Sequence, residues 1–368
     1  MKTIKVFIAS SEELKMERLE FVDMIQQLND SLESRGIQIK PVKWEYLDAS
    51  MNAERKQTEY NNALRQCELC LVLYWTKFGE YTEEELNTAY EGLKSGENPR
   101  KLYIYFKETP DEITPELKEF KSRFATQYGH FYCKFENVDT MRLNFVLQLE
   151  QYLQSEQYQN YLPGHDELVK IKNSQVEFCG QKVADLKNIP FAGKNPDYQR
   201  MQEDLQKLQQ EIVTFETLQA TTPNDAIASL LLQKRMDREA LINRIEEMGQ
   251  SLMATAKQIV SLSYTASSDR LQKAIELFEN GDSKSANAVI NTDMTSYDMA
   301  RNALEALKSN IEEFKLKVRS LQSEKPEGWL QQCIDIYEYV LRNAENRLSD
   351  EELTSLRSDY VRLLQENN

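Results

Sequence analysis

Three consecutive glutamates, Glu83, Glu84 and Glu85, stand in the segment FGEYTEEELNTA (residues 78–89), which follows the most apolar stretch of the first half of the chain. Carboxylates grouped in this way have two uses. In the first turn of a helix capped by Thr82 they complement the positive end of the helix dipole, which accounts for Glu83 and Glu84. Glu85 is the member of the trio placed to turn inward, toward a crevice. Two further groupings invite metal, redox or base chemistry. Cys67 and Cys70 form a C-x-x-C, but no second pair follows and no histidine lies near them in sequence. Packing at the start of a buried strand is therefore the expectation, and no metal site is assigned. His130, one of 2 histidines, is expected in a structural role. No G-x-G-x-x-G and no Walker pattern follows any strand, so side chains and loop amides must hold any nucleotide. Kinase, GTPase and dehydrogenase chemistry are poorly served by such a chain.

The elements that position these residues alternate in type. Residues 4–9 (IKVFIA) form an apolar run typical of a strand buried on both faces. Ser10 and Ser11 then offer N-cap oxygens to a helix over residues 12–34, whose apolar positions include Leu14, Phe21, Val22, Ile25, Leu28 and Leu32, and Gly36 ends it. Further strands are expected at 37–42, 69–75, 101–106 and 130–135, and further helices at 53–66, 82–95, 115–125 and 138–158. This grammar predicts a flavodoxin-like, doubly wound parallel sheet of five strands, with its working surface beyond the carboxyl ends of the strands. Those ends carry Ser10 and Ser11 and the loops over 43–52, 76–82 and 107–115.

After residue 160 the pattern changes. Residues 169–178 and 181–185 read as a small β-hairpin turning at Cys179–Gly180, and residues 188–196 form a Pro/Gly-bearing joint. Two apolar seams follow. One contains Met201, Leu205, Leu208, Ile212 and Phe215, and the other Leu241, Ile245, Met248, Leu252 and Ile259. They suggest an antiparallel helical hairpin, either buried in a monomeric bundle or forming a short oligomerising coiled coil. Residues 270–291 resemble one tetratricopeptide helix pair, with Ala274 and Ala286 at the close contact and Gly281–Asp282 at the turn. Residues 329–368 are a second candidate pair. The expected organisation is thus 1–160 α/β, 161–196 hairpin linker, 197–265 helical hairpin and 266–368 tetratricopeptide-like.

Charge and hydropathy narrow the partners. A net charge of −15 is a poor match for nucleic-acid phosphates or anionic membranes. No window approaches a membrane span, the N-terminus reads as a strand and not a leader, and a cytoplasmic location is expected.

At this point a family resemblance becomes specific. F-I-A-S-S-x-E-L over residues 7–14, W-E at Trp44–Glu45, R-x-Q-x-x-Y-N at Arg55, Gln57, Tyr60 and Asn61, and G-x-Y-T-x-x-E at Gly79, Tyr81, Thr82 and Glu85 all match. Together with Glu85-Leu86-x-x-Ala89, they make roughly residues 1–160 resemble a bacterial TIR-like (Toll/interleukin-1 receptor-like) domain. The resemblance implies a glutamate essential for cleaving NAD, which is Glu85 here, and an aromatic residue lying against the nucleotide, Tyr81. NAD is then a substrate and not a cofactor. The cleaved bond leaves an oxocarbenium-like ribose that one carboxylate stabilises, and nicotinamide, already cationic, needs no strong acid. Ser10 or Ser11 would bond ribose or phosphate, Arg55 would neutralise a phosphate, and Trp44 would close the pocket.

Each role has a plainer rival. The serines cap a helix, Trp44 anchors a loop, Arg55 pairs with Glu59, and Tyr60 and Asn61 support the fold. The resemblance implies self-assembly through the TIR-like domain and the helical arm, in bacterial defence or stress signalling. The alternative is a non-enzymatic scaffold whose helical region binds protein partners.

Overall fold

A computed structural model of the chain describes residues 1–42, 56–79, 82–128, 132–158, 160–162, 167–261, 269–290, 304–345 and 347–366. Two units are distinguished, one of residues 1–170 and 175–185, the other of residues 171–174 and 186–368.

The first unit is built on five parallel strands: β1 (Lys2–Ser10), β2 (Ile37–Val42), β3 (Leu69–Tyr74), β4 (Lys101–Lys107) and β5 (Cys133–Phe135). Their order is β2-β1-β3-β4-β5. This is the expected flavodoxin-like sheet, and its strand order reverses between β1 and β3. Every residue of β3 is buried, as its unbroken LCLVLY run requires. The intervening helices are α1 (Lys15–Leu32), α2 (Lys56–Leu64), α3 (Thr82–Ser95), α4 (Pro115–Tyr128) and α5 (Val138–Leu153). On one face Phe21 of α1 meets Phe145 of α5 with ring centroids 4.6 Å apart. On the other, Leu64, Leu86, Ala89, Leu117 and Phe120 from α2, α3 and α4 close over Phe7, Cys70, Val72 and Tyr74. Cys67 and Cys70 are free thiols inside this core, and burial pushes the Cys67 thiol up to about 12. Core packing is the part they play here.

Local differences from the sequence reading have physical causes. Helix α1 is preceded by a single 3-10 turn, Glu12–Leu14, and followed by another, Glu33–Arg35, which Gly36 closes with a left-handed φ of 74°. Helix α5 stops at Leu153 because a separate 3-10 turn, Glu156–Tyr158, swings Tyr158 onto Glu68. The expected strand over 169–178 is two strands, β6 (Val169–Lys172) and β7 (Gln175–Phe178), joined to β8 (Gln181–Asp185) in one three-stranded sheet. Asn173 and Ser174 break the run, with φ of 51° and 58°. Two-residue hairpins need two such positive φ values, and Asn tolerates them better than most residues.

The second unit is helical: α6 (Pro190–Gly193), α7 (Pro196–Thr221), α8 (Asp225–Ser261), α9 (Asp269–Glu279), α10 (Ser283–Val289), α11 (Leu304–Glu324), α12 (Trp329–Ala344) and α13 (Asp350–Glu366). Helices α7 and α8 form the expected hairpin, with Lys234–Glu211 and Arg235–Glu216 ion pairs at 2.7 Å across it. Ile212, Ile245 and Leu252 of the two seams are buried. Helices α9 and α10 turn at Gly281–Asp282 as read, and α12 and α13 make the second pair over a core of Ile336, Val340, Leu356 and Phe314. Among the described residues, no helix is long and apolar enough to cross a membrane.

One joint in this unit depends on a glycine. Asn195 caps α7 by accepting from the Asp197 and Tyr198 amides, and its Nδ2 donates to the Gly281 carbonyl at 3.2 Å. Gly281 has φ 83°, and a Cβ there would lie 2.7 Å from the Lys194 carbonyl carbon. Gly281→Ala is expected to destabilise the chain by about 2–4 kcal/mol in denaturant unfolding, since strain and a backbone clash add. A change below about 0.5 kcal/mol, within the usual range for surface substitutions, would show that the turn does not rest on this close approach.

Candidate functional site

The carboxyl ends of β1 and β3 lie side by side where the strand order reverses, the place at which open α/β sheets take their ligands. The β1 end supplies Ser10 and Ser11. Ser11 is buried, but its hydroxyl caps no helix. It donates to Glu13 Oε1 at 3.0 Å, a charge-assisted bond that orients the side chain toward the carboxylate. The same carboxylate accepts from the Thr76 amide at 3.1 Å and from the Thr76 hydroxyl at 2.5 Å. Glu13 thus staples the loop after β1 to the loop after β3. Gly79 brings the two loops closer still, since a Cβ at that position would come within 3.2 Å of Ser11 Cα.

Helix α1 contributes a residue that the sequence reading missed. Arg18 is fully buried. It donates to the Ser10 hydroxyl, to the Ser11 carbonyl at 3.1 Å and to Glu12 at 3.4 Å. The signal was present, because position 18 falls between Leu14 and Phe21 on the apolar stripe of α1, where a guanidinium has no packing reason to be. Farther along the rim, Glu17 pairs with Lys107 at 2.6 Å, and the Lys107 ammonium lies 3.7 Å over the Trp75 ring.

Helix α3 supplies Glu85. Thr82 opens the helix with its amide donating to the Gly79 carbonyl, and Glu83 faces solvent while Glu85 turns inward. Glu85 is 6% exposed. Leu86 and Ala89 beside it are core residues, which fixes the face that α3 buries. Burial pushes the Glu85 carboxyl up to about 7. The Gln57 amide, as a hydrogen-bond donor, pulls the other way, Glu84 adds to the rise, and the Arg18 guanidinium opposes it.

Helix α2 stands behind this carboxyl. Gln57, 2% exposed, donates through Nε2 to Asn61 Oδ1 at 3.2 Å, and Asn61 donates to Glu84 Oε1 at 2.9 Å. Gln57 Oε1 and the Tyr74 hydroxyl are buried and have no hydrogen-bond partner among the described residues. The Tyr74 ring itself is packed, stacking on Phe106 at 5.2 Å.

Of the residues singled out from the sequence, Ser10 and Ser11 stand at the carboxyl end of β1, and the Arg18 guanidinium that bonds both also acts on the Glu85 carboxyl. Trp44, Arg55, Tyr81 and His130 lie outside the described residues. Compared with family models, curated proteins and solved structures, the chain matches none.

The arrangement can do two things: hold a carboxyl at the edge of proton release, and set it near a fixed cation. It also has a thermodynamic signature. Glu85 keeps its proton to higher pH in the native state than at the ordinary glutamate value of 4.5. Stability from this group is therefore complete below about pH 4.5 and is lost as pH rises through about 7, a loss approaching about 3 kcal/mol. Glu85→Gln removes that loss. In urea unfolding, the stability of the variant relative to the native chain is expected to rise by about 2–3 kcal/mol between about pH 5 and about pH 8.5. A pH-independent difference would show that the carboxyl ionises as if exposed.

Proposed function

We propose that the first unit is a TIR-like domain that binds NAD and cleaves its nicotinamide–ribose bond when copies of the chain assemble, as part of bacterial defence or stress signalling. The observation that carries this reading is a carboxyl buried at the switch point of the sheet, with Ser10, Ser11 and Arg18 at the same rim. Cleavage leaves positive charge on the ribose, and the ionised form of Glu85 is the group that stabilises it. A desolvated carboxylate interacts with that charge more strongly than one in water. Nicotinamide departs as a neutral base, so no acid is required. Ser10 is already bonded by Arg18 and Ser11 by Glu13, so the serines shape the rim and present backbone more than free hydroxyls.

The test is nicotinamide release from NAD by concentrated protein. Release is expected to rise with pH through about 7, as Glu85 ionises. Glu85→Ala is expected to lower it by about 100-fold or more. No release from an assembled sample, or release unchanged in Glu85→Ala, counts against the enzyme.

A second reading, a non-enzymatic scaffold, is favoured by one observation on the second unit. Val213, Leu218, Leu230, Leu232 and Met236, near the α7–α8 turn, are exposed by 41–61%. Five exposed large apolar side chains on one hairpin offer surface that a protein contact would cover. Replacing Leu232 and Met236 together by Glu is expected to weaken self-association at least tenfold in sedimentation velocity, a factor worth about 1.4 kcal/mol. Unchanged association would remove these residues from the contact.

A further inference from the structure

The network around Gln57 fixes which way its amide points. Nε2 donates to Asn61 Oδ1 and faces the Glu85 carboxyl, while Asn61 spends its own Nδ2 on Glu84. Turning the Gln57 amide over would press its oxygen against Asn61 Oδ1, and against the Glu85 carboxylate once that is ionised. Oε1 is therefore turned away from Asn61 Oδ1, buried and without a hydrogen-bond partner among the described residues. A bare carbonyl at such a position costs stability and is the kind of exception that functional sites retain.

Its chemistry says what it lacks. Oε1 only accepts, and the ionised Glu85 beside it only accepts as well. A phosphate has no donor to offer either of them. An ammonium group would meet the Arg18 guanidinium, whose charge already acts on Glu85. Two neighbouring acceptors are satisfied by two neighbouring hydroxyl donors, as on a ribose.

We propose that Gln57 is a specificity residue of the Glu85 site: its Oε1 accepts a hydrogen bond from one hydroxyl of a ribose cis-diol while Glu85 takes the adjacent one, so the site selects ribosides over deoxyribosides. The inference rests on the NAD-cleaving reading and adds a residue and a selectivity to it.

The experiment compares NAD with analogues lacking either the 2′- or the 3′-hydroxyl of the nicotinamide ribose, in the unaltered chain and in Gln57→Met, which keeps side-chain length without the carbonyl. The unaltered chain is expected to cleave each deoxy analogue about 30-fold more slowly than NAD, or worse, in kcat/KM, since a site built around a hydroxyl discriminates against its loss. In Gln57→Met one of the two penalties falls to within about threefold and the other persists. Asn61→Ser, which frees the anchor of the amide but keeps Oε1, gives an intermediate loss of the same penalty. Indifference of the unaltered chain to both analogues, or both penalties persisting in Gln57→Met, overturns the role of Gln57 while NAD cleavage stands. No cleavage of NAD at all, or cleavage that survives Glu85→Ala, overturns the NAD reading and this inference with it.

Discussion

The rim of the first unit depends on the Glu13 carboxylate. Two parallel strands whose connections run in opposite directions leave a gap between their loops, and nothing in the sheet ladder closes it. Glu13 does so with three hydrogen bonds, one from the loop that contains it and two from Thr76 across the gap. Once those are made, Gly79 can lie against Ser11, and α3 starts at a fixed height above the sheet. The position of Glu85 follows from that height. A carboxylate in the turn after β1 thereby decides where a carboxyl in the helix after β3 sits.

Much of this could be read in advance because it is written in periodicity. Strands buried on both faces declare themselves as apolar runs, and the alternation with helices leaves few topologies. The inward turn of Glu85 was legible from Leu86 and Ala89, which must face the core. What escaped is what periodicity does not encode. A polar residue on an apolar stripe, such as Arg18, is a signal, but the stripe is judged by its apolar members and the exception is passed over. Ser11 looked like a cap because serine before a helix usually is one, yet its hydroxyl accepts from no helix amide and is oriented by donating to the Glu13 carboxylate two residues later. At 169–178 both strands alternate, but the apolar positions slip by one residue across Asn173–Ser174, from Val169 and Ile171 to Val176 and Phe178, and that slip is the mark of the turn.

The first unit holds several buried or half-buried glutamates, and it treats one of them differently from the rest. Glu150 accepts from two backbone amides, those of Leu168 and Val169. Glu17 has Lys107. Burial alone would raise Glu68, but Lys2, Tyr152 and Tyr158 donate to it and hold it below the ordinary carboxylate range. Each of these carboxylates is given donors in keeping with the cost of taking it from water. Glu85 is treated differently. Among the described residues a single amide faces it, a second carboxylate stands next to it, and the nearby guanidinium is shared among Ser10, Ser11 and Glu12. A fold that satisfies its other buried carboxylates has the means to satisfy this one. Among the described residues it is left short of donors, beside a carbonyl oxygen also without one, and burial without that compensation is what holds its proton to higher pH.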